Sequence, residues 1–226
     1  MEKILEKKLL IFDVDGTVWD SEKDVFLSFN HTLKENDNFE IAKEEFKELA
    51  GMPLGAMFKK VLPENKQNLS EEYEKKYKKH YIDEEHFADA TVLFNDVKTT
   101  IDYFNSKKFF MAVASSKPKR ILDKMVSHFE LSGFDLVLGT EESNFKHKPD
   151  PEIIFHIMDS LKVNKEDAVI IGDSKSDILA GKNAGIDTIA VTYGYDKPEN
   201  LKALNPTYVI DEFKTLKQII NFKENW

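Results

Sequence analysis

Six short apolar segments recur along this 226-residue chain, and stretches with helical periodicity separate several of them. Each segment has the length of a strand, not of a helix. The predicted strands are Leu9–Phe12, Phe109–Ala114, Phe134–Leu138, Ala168–Ile171, Thr188–Val191 and Tyr208–Ile210. The predicted helices among them are Val97–Ser106, Lys119–Phe129, Pro151–Ser160 and Ser176–Ala184. This alternation predicts an α/β fold with a parallel, Rossmann-like sheet and right-handed crossovers.

The interval from about residue 21 to residue 86 breaks this alternation, because helical patterns dominate it and no convincing strand pattern occurs. The helical patterns are Val25–Lys34, Lys43–Leu49, Leu54–Val61 and Ser70–His80. We therefore predict an α/β core domain of residues 1–18 and 90–226. Residues 19–89 are predicted to form a helical domain inserted after the first strand.

Composition excludes several classes of protein. The 41% hydrophobic and 12% aromatic residues are typical of a globular chain. The absence of cysteine excludes disulfides, a thiolate nucleophile and cysteine-bound zinc. The net charge of −9 disfavours nucleic-acid binding, which needs a basic surface. No apolar run approaches the length of a membrane span, so we expect no membrane partner and a cytoplasmic location.

Polar residues follow the predicted strands at the points where the strands end. Asp13 and Asp15 follow the first strand, the Ser115–Lys117 segment follows the second, Lys148 lies beyond the third, and Asp173 follows the fourth. The carboxyl ends of parallel strands share one edge of the sheet, where ligands bind. A bare pair of carboxylates repels phosphate, so a phosphate site here needs a divalent cation and a lysine. Arg120 is the only arginine, so phosphate recognition rests on lysine, metal and backbone N–H groups.

These residues resemble the four motifs of the haloacid dehalogenase superfamily, specifically its phosphatases with an inserted helical cap. The matching segments are Asp13-Val14-Asp15-Gly16-Thr17, Ser115, Lys148-Pro149-Asp150-Pro151 and Gly172-Asp173-Ser174-Lys175-Ser176-Asp177. The segments Ile178-Leu179-Ala180, Asn183-Ala184-Gly185 and Tyr193-Gly194-Tyr195 are similar to the phosphoglycolate phosphatase branch. Four motifs in order on the expected strands are far more specific than one.

The resemblance implies roles for the catalytic residues. Asp13 is expected to attack phosphorus and form an aspartyl-phosphate, and Asp15 to act as general acid and then base. Ser115 and Ser116 are expected to bind the phosphoryl group. Lys148 is expected to bind it too and to offset the repulsion between Asp13 and the substrate.

The resemblance also implies a Mg²⁺ cofactor. Its expected ligands are the Asp13 carboxylate, the Asp15 backbone carbonyl and Asp173, with Asp177 either binding directly or orienting a metal-bound water.

Simpler structural interpretations exist for several of these residues. Ser115 or Ser116 could cap the following helix, and Asp177 could favour a helix dipole. Lys117 and Arg120 could reach the substrate, although we expect them to be solvated. His147 is equally compatible with a site and a surface role. The other histidines have no partner spacing and receive no role: His31, His80, His86, His128 and His156.

The predicted function is Mg²⁺-dependent hydrolysis of a small phosphorylated metabolite, phosphoglycolate-like or a sugar phosphate, by a monomer or homodimer. Asp15 argues against a dehalogenase, which needs no acid for a halide. A phosphomutase of the β-phosphoglucomutase type is an alternative, although Val25 stands where such enzymes carry a cap histidine. A non-catalytic phosphate- or metal-binding regulator is the other alternative.

The segment 51–58 resembles the substrate-facing loop of the cap, with Met52, Leu54 and Met57 as apolar contacts. The same side chains could instead pack inside the helical domain.

Overall fold

The structure is a computed structural model that describes residues 4–49, 52, 54–140 and 145–223. Its strands are β1 (Leu5–Lys7), β2 (Leu9–Phe12), β3 (Trp19–Asp20), β4 (Val92–Leu93), β5 (Phe110–Pro118), β6 (Leu136–Thr140), β7 (Ala168–Gly172), β8 (Asp187–Val191), β9 (Tyr208–Ile210) and β10 (Ile220–Phe222). Its α-helices are α1 (Glu22–Asp37), α2 (Lys43–Lys47), α3 (Leu54–Val61), α4 (Ser70–Lys78), α5 (Val97–Ser106), α6 (Lys119–His128), α7 (Glu152–Leu161), α8 (Lys175–Ala184), α9 (Pro198–Ala203) and α10 (Leu216–Ile219).

Two compact units divide the chain, one formed by Met1–Asp20 with Leu93–Trp226 and the other by Ser21–Val92. The first unit contains a six-stranded sheet in the order β6-β5-β2-β7-β8-β9, and every pair in it is parallel. This sheet and its connecting helices confirm the predicted α/β fold class. A second, two-stranded parallel pair joins β1 to β10.

β2 lies in the middle of the large sheet, between β5 and β7. The chain first adds β5 and β6 on one side of β2, then β7, β8 and β9 on the other. All residues of β2 and β7 are buried, as expected for strands covered on both faces. A strand with neighbours added on both sides marks a topological switch point, where α/β folds bind ligands beyond the strand's carboxyl end.

The helices that flank this sheet begin and end where the sequence provides the right caps. In α8, the Ser174 side chain accepts a hydrogen bond from the Asp177 N–H, and the Ser174 backbone N–H donates one to the Asp177 carboxylate, forming a capping box. Gly185 ends the helix in the left-handed conformation at φ 74°, directly after the last residue of the predicted helix Ser176–Ala184. The cap therefore fixes Asp177 within the first turn of α8.

The second unit, Ser21–Val92, is built on aromatic side chains. Phe29 and Phe58 stack with ring centroids 4.2 Å apart, and Phe46 packs against Phe29 at 5.5 Å. A π-helical turn, Lys79–Asp83, continues α4. The helices α1 to α4 match the helical patterns predicted from the sequence.

The three apolar side chains named for the segment 51–58 differ in how exposed they are. Met57 is buried, whereas Met52 and Leu54 are partly exposed. Gly51 and Pro53 of the segment 51–58 lie outside the described residues. In the described part of the chain, no helix is both long and apolar enough to cross a bilayer.

Candidate active site

Three carboxylates from different parts of the chain meet beyond the central strands. Asp13 follows β2, Asp173 follows β7, and Asp177 lies in the first turn of α8. Each offers a carboxylate oxygen, and these oxygens lie within 4.8 Å of one another. All three side chains are buried, with Asp13 8% exposed. The strand ends thus place residues 160 positions apart in one cluster.

Lys148 connects this cluster to strand β5. Its Nζ donates hydrogen bonds to Asp13 Oδ1 at 2.6 Å, to Asp177 Oδ1 at 2.5 Å and to the Ala114 carbonyl at 2.9 Å. Burial alone would lower the pKa of Lys148, but the two carboxylates raise it above its usual value. Lys148 therefore remains a buried ammonium group. The peptide bond that follows it, from Lys148 to Pro149, is cis.

The carboxylates carry more negative charge than Lys148 balances. Burial raises the pKa of Asp13 well above its ordinary value; Asp177 and Asp173 add to this effect and Lys148 opposes it. Burial, helped by Asp177, also raises the pKa of Asp173 to about 7, against hydrogen bonds from Tyr195 N–H and Thr17. A cluster of oxygen donors with surplus negative charge fits a hard divalent cation.

Two glycines allow backbone to close around Asp173. Gly16 has φ 82°, and a Cβ there would overlap the Asp173 carboxylate. A Cβ on Gly194 would overlap both Asp173 Cβ and the Gly16 carbonyl. The Asp173 oxygens accept hydrogen bonds from Thr17 Oγ1 at 3.1 Å and from the Tyr195 N–H at 2.7 Å. The carboxylate is thus held in one orientation.

Asp15 lies outside the carboxylate cluster and has its own partners. Trp19 Nε1 donates to Asp15 Oδ1 at 2.8 Å, and Lys117 Nζ lies 3.3 Å from Asp15 Oδ2. The Lys117 side chain is only 6% exposed, so the expectation that it is solvated was wrong. A buried lysine usually has a partner, and here the partner is a predicted catalytic carboxylate.

The second motif lies within a strand and not after one. β5 continues to Pro118, so the prediction that the strand ends at Ala114 was wrong, and its register against β6 shifts between Ala114 and Pro118. Ser115 is buried, and its Oγ accepts the Lys117 N–H at 3.1 Å. Ser116 is exposed, and Pro118 occupies the N-cap position of α6, so neither serine stands there.

A small pocket contains the residues predicted to bind phosphate. Its lining residues are Ser115, Ser116, Gly139, Phe145, Lys146, His147, Lys148 and Ile153. The structure therefore brings together four predicted site residues: Asp13, Lys148, Asp173 and Asp177. Ser115 and Ser116 line a pocket that Lys148 also lines. The contacts missed by the sequence analysis are those of Thr17, Trp19, Lys117 and Tyr195.

Comparison with known families identifies the family to which the chain belongs. The family model described as haloacid dehalogenase-like hydrolase matches residues 10–191, which include all seven predicted site residues. The chain belongs to the haloacid dehalogenase-like hydrolase family. The family predicted from the motifs is thereby confirmed.

Curated relatives of this hydrolase are similar over most of their length. A phosphoglycolate phosphatase from Aquifex aeolicus is 35% identical over 191 residues, covering 84% of this chain and 87% of the relative. A pyrophosphatase from Halalkalibacterium halodurans is 28% identical and covers 97% and 99%. A crystal structure from Clostridium difficile superimposes with a TM-score of 0.84 at 25% identity, covering 95% and 98%. These findings confirm the predicted enzyme class, a phosphatase within the haloacid dehalogenase-like hydrolases.

Proposed function

We propose that this hydrolase removes the phosphoryl group from a small phosphorylated metabolite through a covalent intermediate on Asp13. The observation that carries the proposal is the buried contact of Asp13 with Lys148, beside Asp173 and Asp177. A carboxylate beside an ammonium group can approach a phosphate dianion that it would otherwise repel. We retain the predicted division into core and helical cap, and the cytoplasmic location, as parts of this proposal.

In the first half-reaction, an Asp13 carboxylate oxygen attacks phosphorus while the ester P–O bond breaks. Asp15 gives its proton to the departing alkoxide, so the alcohol leaves neutral. Trp19 and Lys117 hold the Asp15 carboxyl in place. Lys148 faces the charge that develops on the transferred group.

In the second half-reaction, Asp15 takes a proton from water, whose oxygen attacks the phosphorus of the aspartyl-phosphate. The P–O bond to Asp13 breaks, which restores the carboxylate and yields inorganic phosphate. Ser115 and Ser116, which line the pocket beside Lys148, are the proposed donors to the phosphoryl oxygens.

Asp13 and Asp173 would hold a Mg²⁺ ion, together with the Asp15 backbone carbonyl. The ion would neutralise phosphoryl charge as a Lewis acid. Asp177 has both carboxylate oxygens engaged, Oδ1 with Lys148 and Oδ2 with the Ser174 N–H and hydroxyl. This supports an indirect role for Asp177, through the position of Lys148.

Phosphoglycolate is the first substrate to test, because relatives named phosphoglycolate phosphatase include the one from Aquifex aeolicus. Pyrophosphate is the second, because a relative over almost the full chain is named as a pyrophosphatase. Both are small anions that a site with Lys148 and a divalent cation can bind.

The test is a panel of 2-phosphoglycolate, pyrophosphate, glucose 6-phosphate and p-nitrophenyl phosphate, ranked by kcat/KM with Mg²⁺ or with EDTA. We expect Mg²⁺-dependent release of phosphate and a loss of at least about 1,000-fold in Asp13→Asn. Asp167→Asn changes a buried carboxylate that precedes β7, at the opposite end of the strand from Asp173, and should retain activity.

The absence of turnover in folded wild-type protein would favour the non-catalytic regulator. Formation of an isomer that needs a bisphosphate activator would favour the phosphomutase. Full activity in Asp13→Asn would refute the proposed nucleophile.

A further inference from the structure

Three histidines of the helical unit stack in a row, although their spacing along the chain does not pair them. The rings of His31 and His80 lie 3.7 Å apart between centroids, at an interplanar angle of 14°. His86 stacks on His80 at 4.2 Å and 29°. The spacing of these histidines in the sequence could not reveal the contacts, because His31 and His80 meet only where α1 and the π-helical turn pack together.

Glu84 and two of these rings form a cluster of side chains of the types that ligate metals. His80, Glu84 and His86 each offer one ligand atom, and the three atoms lie within 4.8 Å of one another. His80 Nδ1 and Glu84 Oε2 are 3.3 Å apart. That separation matches the distance of about 3.3–3.4 Å between neighbouring ligands in a tetrahedral site with bonds of about 2.0–2.1 Å.

The backbone around Glu84 turns sharply and returns His86 to His80. The π-helical turn Lys79–Asp83 ends beside Glu84, and Glu85 adopts a left-handed conformation at φ 66°. Such a φ is uncommon for a residue with a side chain, and π-helical turns occur frequently at functional sites. The turn thus holds two imidazoles and a carboxylate from a span of seven residues together.

Asp89 fixes the orientation of His86. A carboxylate oxygen of Asp89 lies 2.7 Å from His86 Nδ1, which directs the other ring nitrogen away from Asp89. Metal-binding histidines in proteins typically have such a carboxylate partner on the second nitrogen.

We propose that His80, Glu84 and His86 bind a divalent transition-metal ion, with Zn²⁺ as the ion to test first. Two imidazoles and one carboxylate favour such an ion, whereas the oxygen-only cluster of Asp13, Asp173 and Asp177 favours Mg²⁺. Nothing in the proposed hydrolysis uses this site, so the two proposals stand separately. Two interactions of Glu84 compete with metal binding: the contact with His80 Nδ1 at 3.3 Å and the ion pair with Lys79 at 3.8 Å. The ion pair with Lys79 is too exposed to contribute much.

The test is a Zn²⁺ titration of the chelator-treated full chain, with excess Mg²⁺ present to occupy the oxygen-only cluster. We expect one equivalent of Zn²⁺ to bind, and Co²⁺ in its place to give visible absorption bands. Glu84→Gln and His86→Gln change partly or largely exposed side chains and should fold normally. Each should weaken Zn²⁺ binding at least about 10-fold.

His156→Gln is the matched control, because His156 is an exposed histidine of the other unit. It should bind Zn²⁺ like the wild type. Phosphatase activity with Mg²⁺ should be unchanged in all three variants, which keeps this test separate from the proposed function. Unchanged Zn²⁺ affinity in Glu84→Gln and His86→Gln, or no Zn²⁺ binding by the wild type, would overturn the proposal.

Discussion

At the scale of single residues, Asp177 performs two tasks with one side chain. Oδ2 accepts hydrogen bonds from the Ser174 N–H and hydroxyl, which caps α8. Oδ1 accepts one from Lys148. The same carboxylate therefore stabilises a helix and positions the buried ammonium group beside Asp13. Two substitutions separate these tasks.

Ser174→Ala removes the capping hydroxyl but leaves the pair between Asp177 and Lys148. We expect it to lower the free energy of unfolding by about 1 kcal/mol, with kcat nearly unchanged. Asp177→Asn removes the charge that faces Lys148, and we expect kcat to fall about 10- to 100-fold. Urea unfolding and steady-state kinetics on both variants measure the difference. Equal losses of kcat in the two variants would contradict separate tasks.

Trp19→Phe tests the orientation of Asp15. The substitution keeps an aromatic ring stacked on Phe129, 5.9 Å away, but removes the N–H that donates to Asp15 Oδ1. We expect kcat to fall about 10-fold with little change in KM, because the lost bond positions a group that acts only in the transition state. Phe129→Leu is the control: it disturbs the stack but keeps the indole donor. A larger loss of kcat in Phe129→Leu would contradict this role for Trp19.

The raised pKa of Asp173 predicts how pH affects stability. The pKa of Asp173 is about 7 in the folded state without metal, above the ordinary value of 3.8. The folded protein therefore binds more protons than the unfolded chain between those values, and stability falls as pH rises through that window. Added Mg²⁺ should restore the loss, with a gain in Tm at pH 7.5 that exceeds the gain at pH 5 by about 3 °C or more. Thermal unfolding at both pH values measures this, and Asp173→Asn should remove the difference.

At the scale of elements, the strands and most helices could be predicted because apolar runs and caps are local signals. Gly185 ends α8 where the sequence indicates. The end of β5 could not be predicted, because the strand resumes its pairing with β6 only at Pro118, after an irregular polar segment that follows Ala114. The burial of Lys117 could not be predicted for a similar reason, because its partner Asp15 is about 100 positions away in the sequence.

The loop after β8 offers a prediction at this scale. Gly194→Ala places a methyl group against Asp173 and the Gly16 carbonyl, so the loop must move away. We expect Mg²⁺ affinity, measured by activation of hydrolysis, to weaken about 10-fold. Gly185→Ala is the matched control, because its φ of 74° makes the substitution destabilising while only Lys165 lies near the new methyl group. Unchanged Mg²⁺ affinity in Gly194→Ala would contradict the tight packing around Asp173.

At the scale of the whole molecule, the charge of −9 acts on every anionic substrate. Long-range repulsion slows the approach of a phosphate ester, and salt screens it. We expect kcat/KM for 2-phosphoglycolate to rise, by about 2-fold, as KCl increases from about 10 to 150 mM at fixed Mg²⁺. A fall in kcat/KM over this range would show that local attraction by groups such as Lys148 outweighs the net charge.

The order in which the sheet is built has a consequence for synthesis of the protein. Asp13 is synthesised before Asp173, which comes after β7, and before Tyr195, whose N–H orients Asp173 and which follows β8. A nascent chain therefore carries the proposed nucleophile well before the groups proposed to act with it. On this proposal, fragments that stalled translation releases before the loop after β8 would be inert towards phosphate esters.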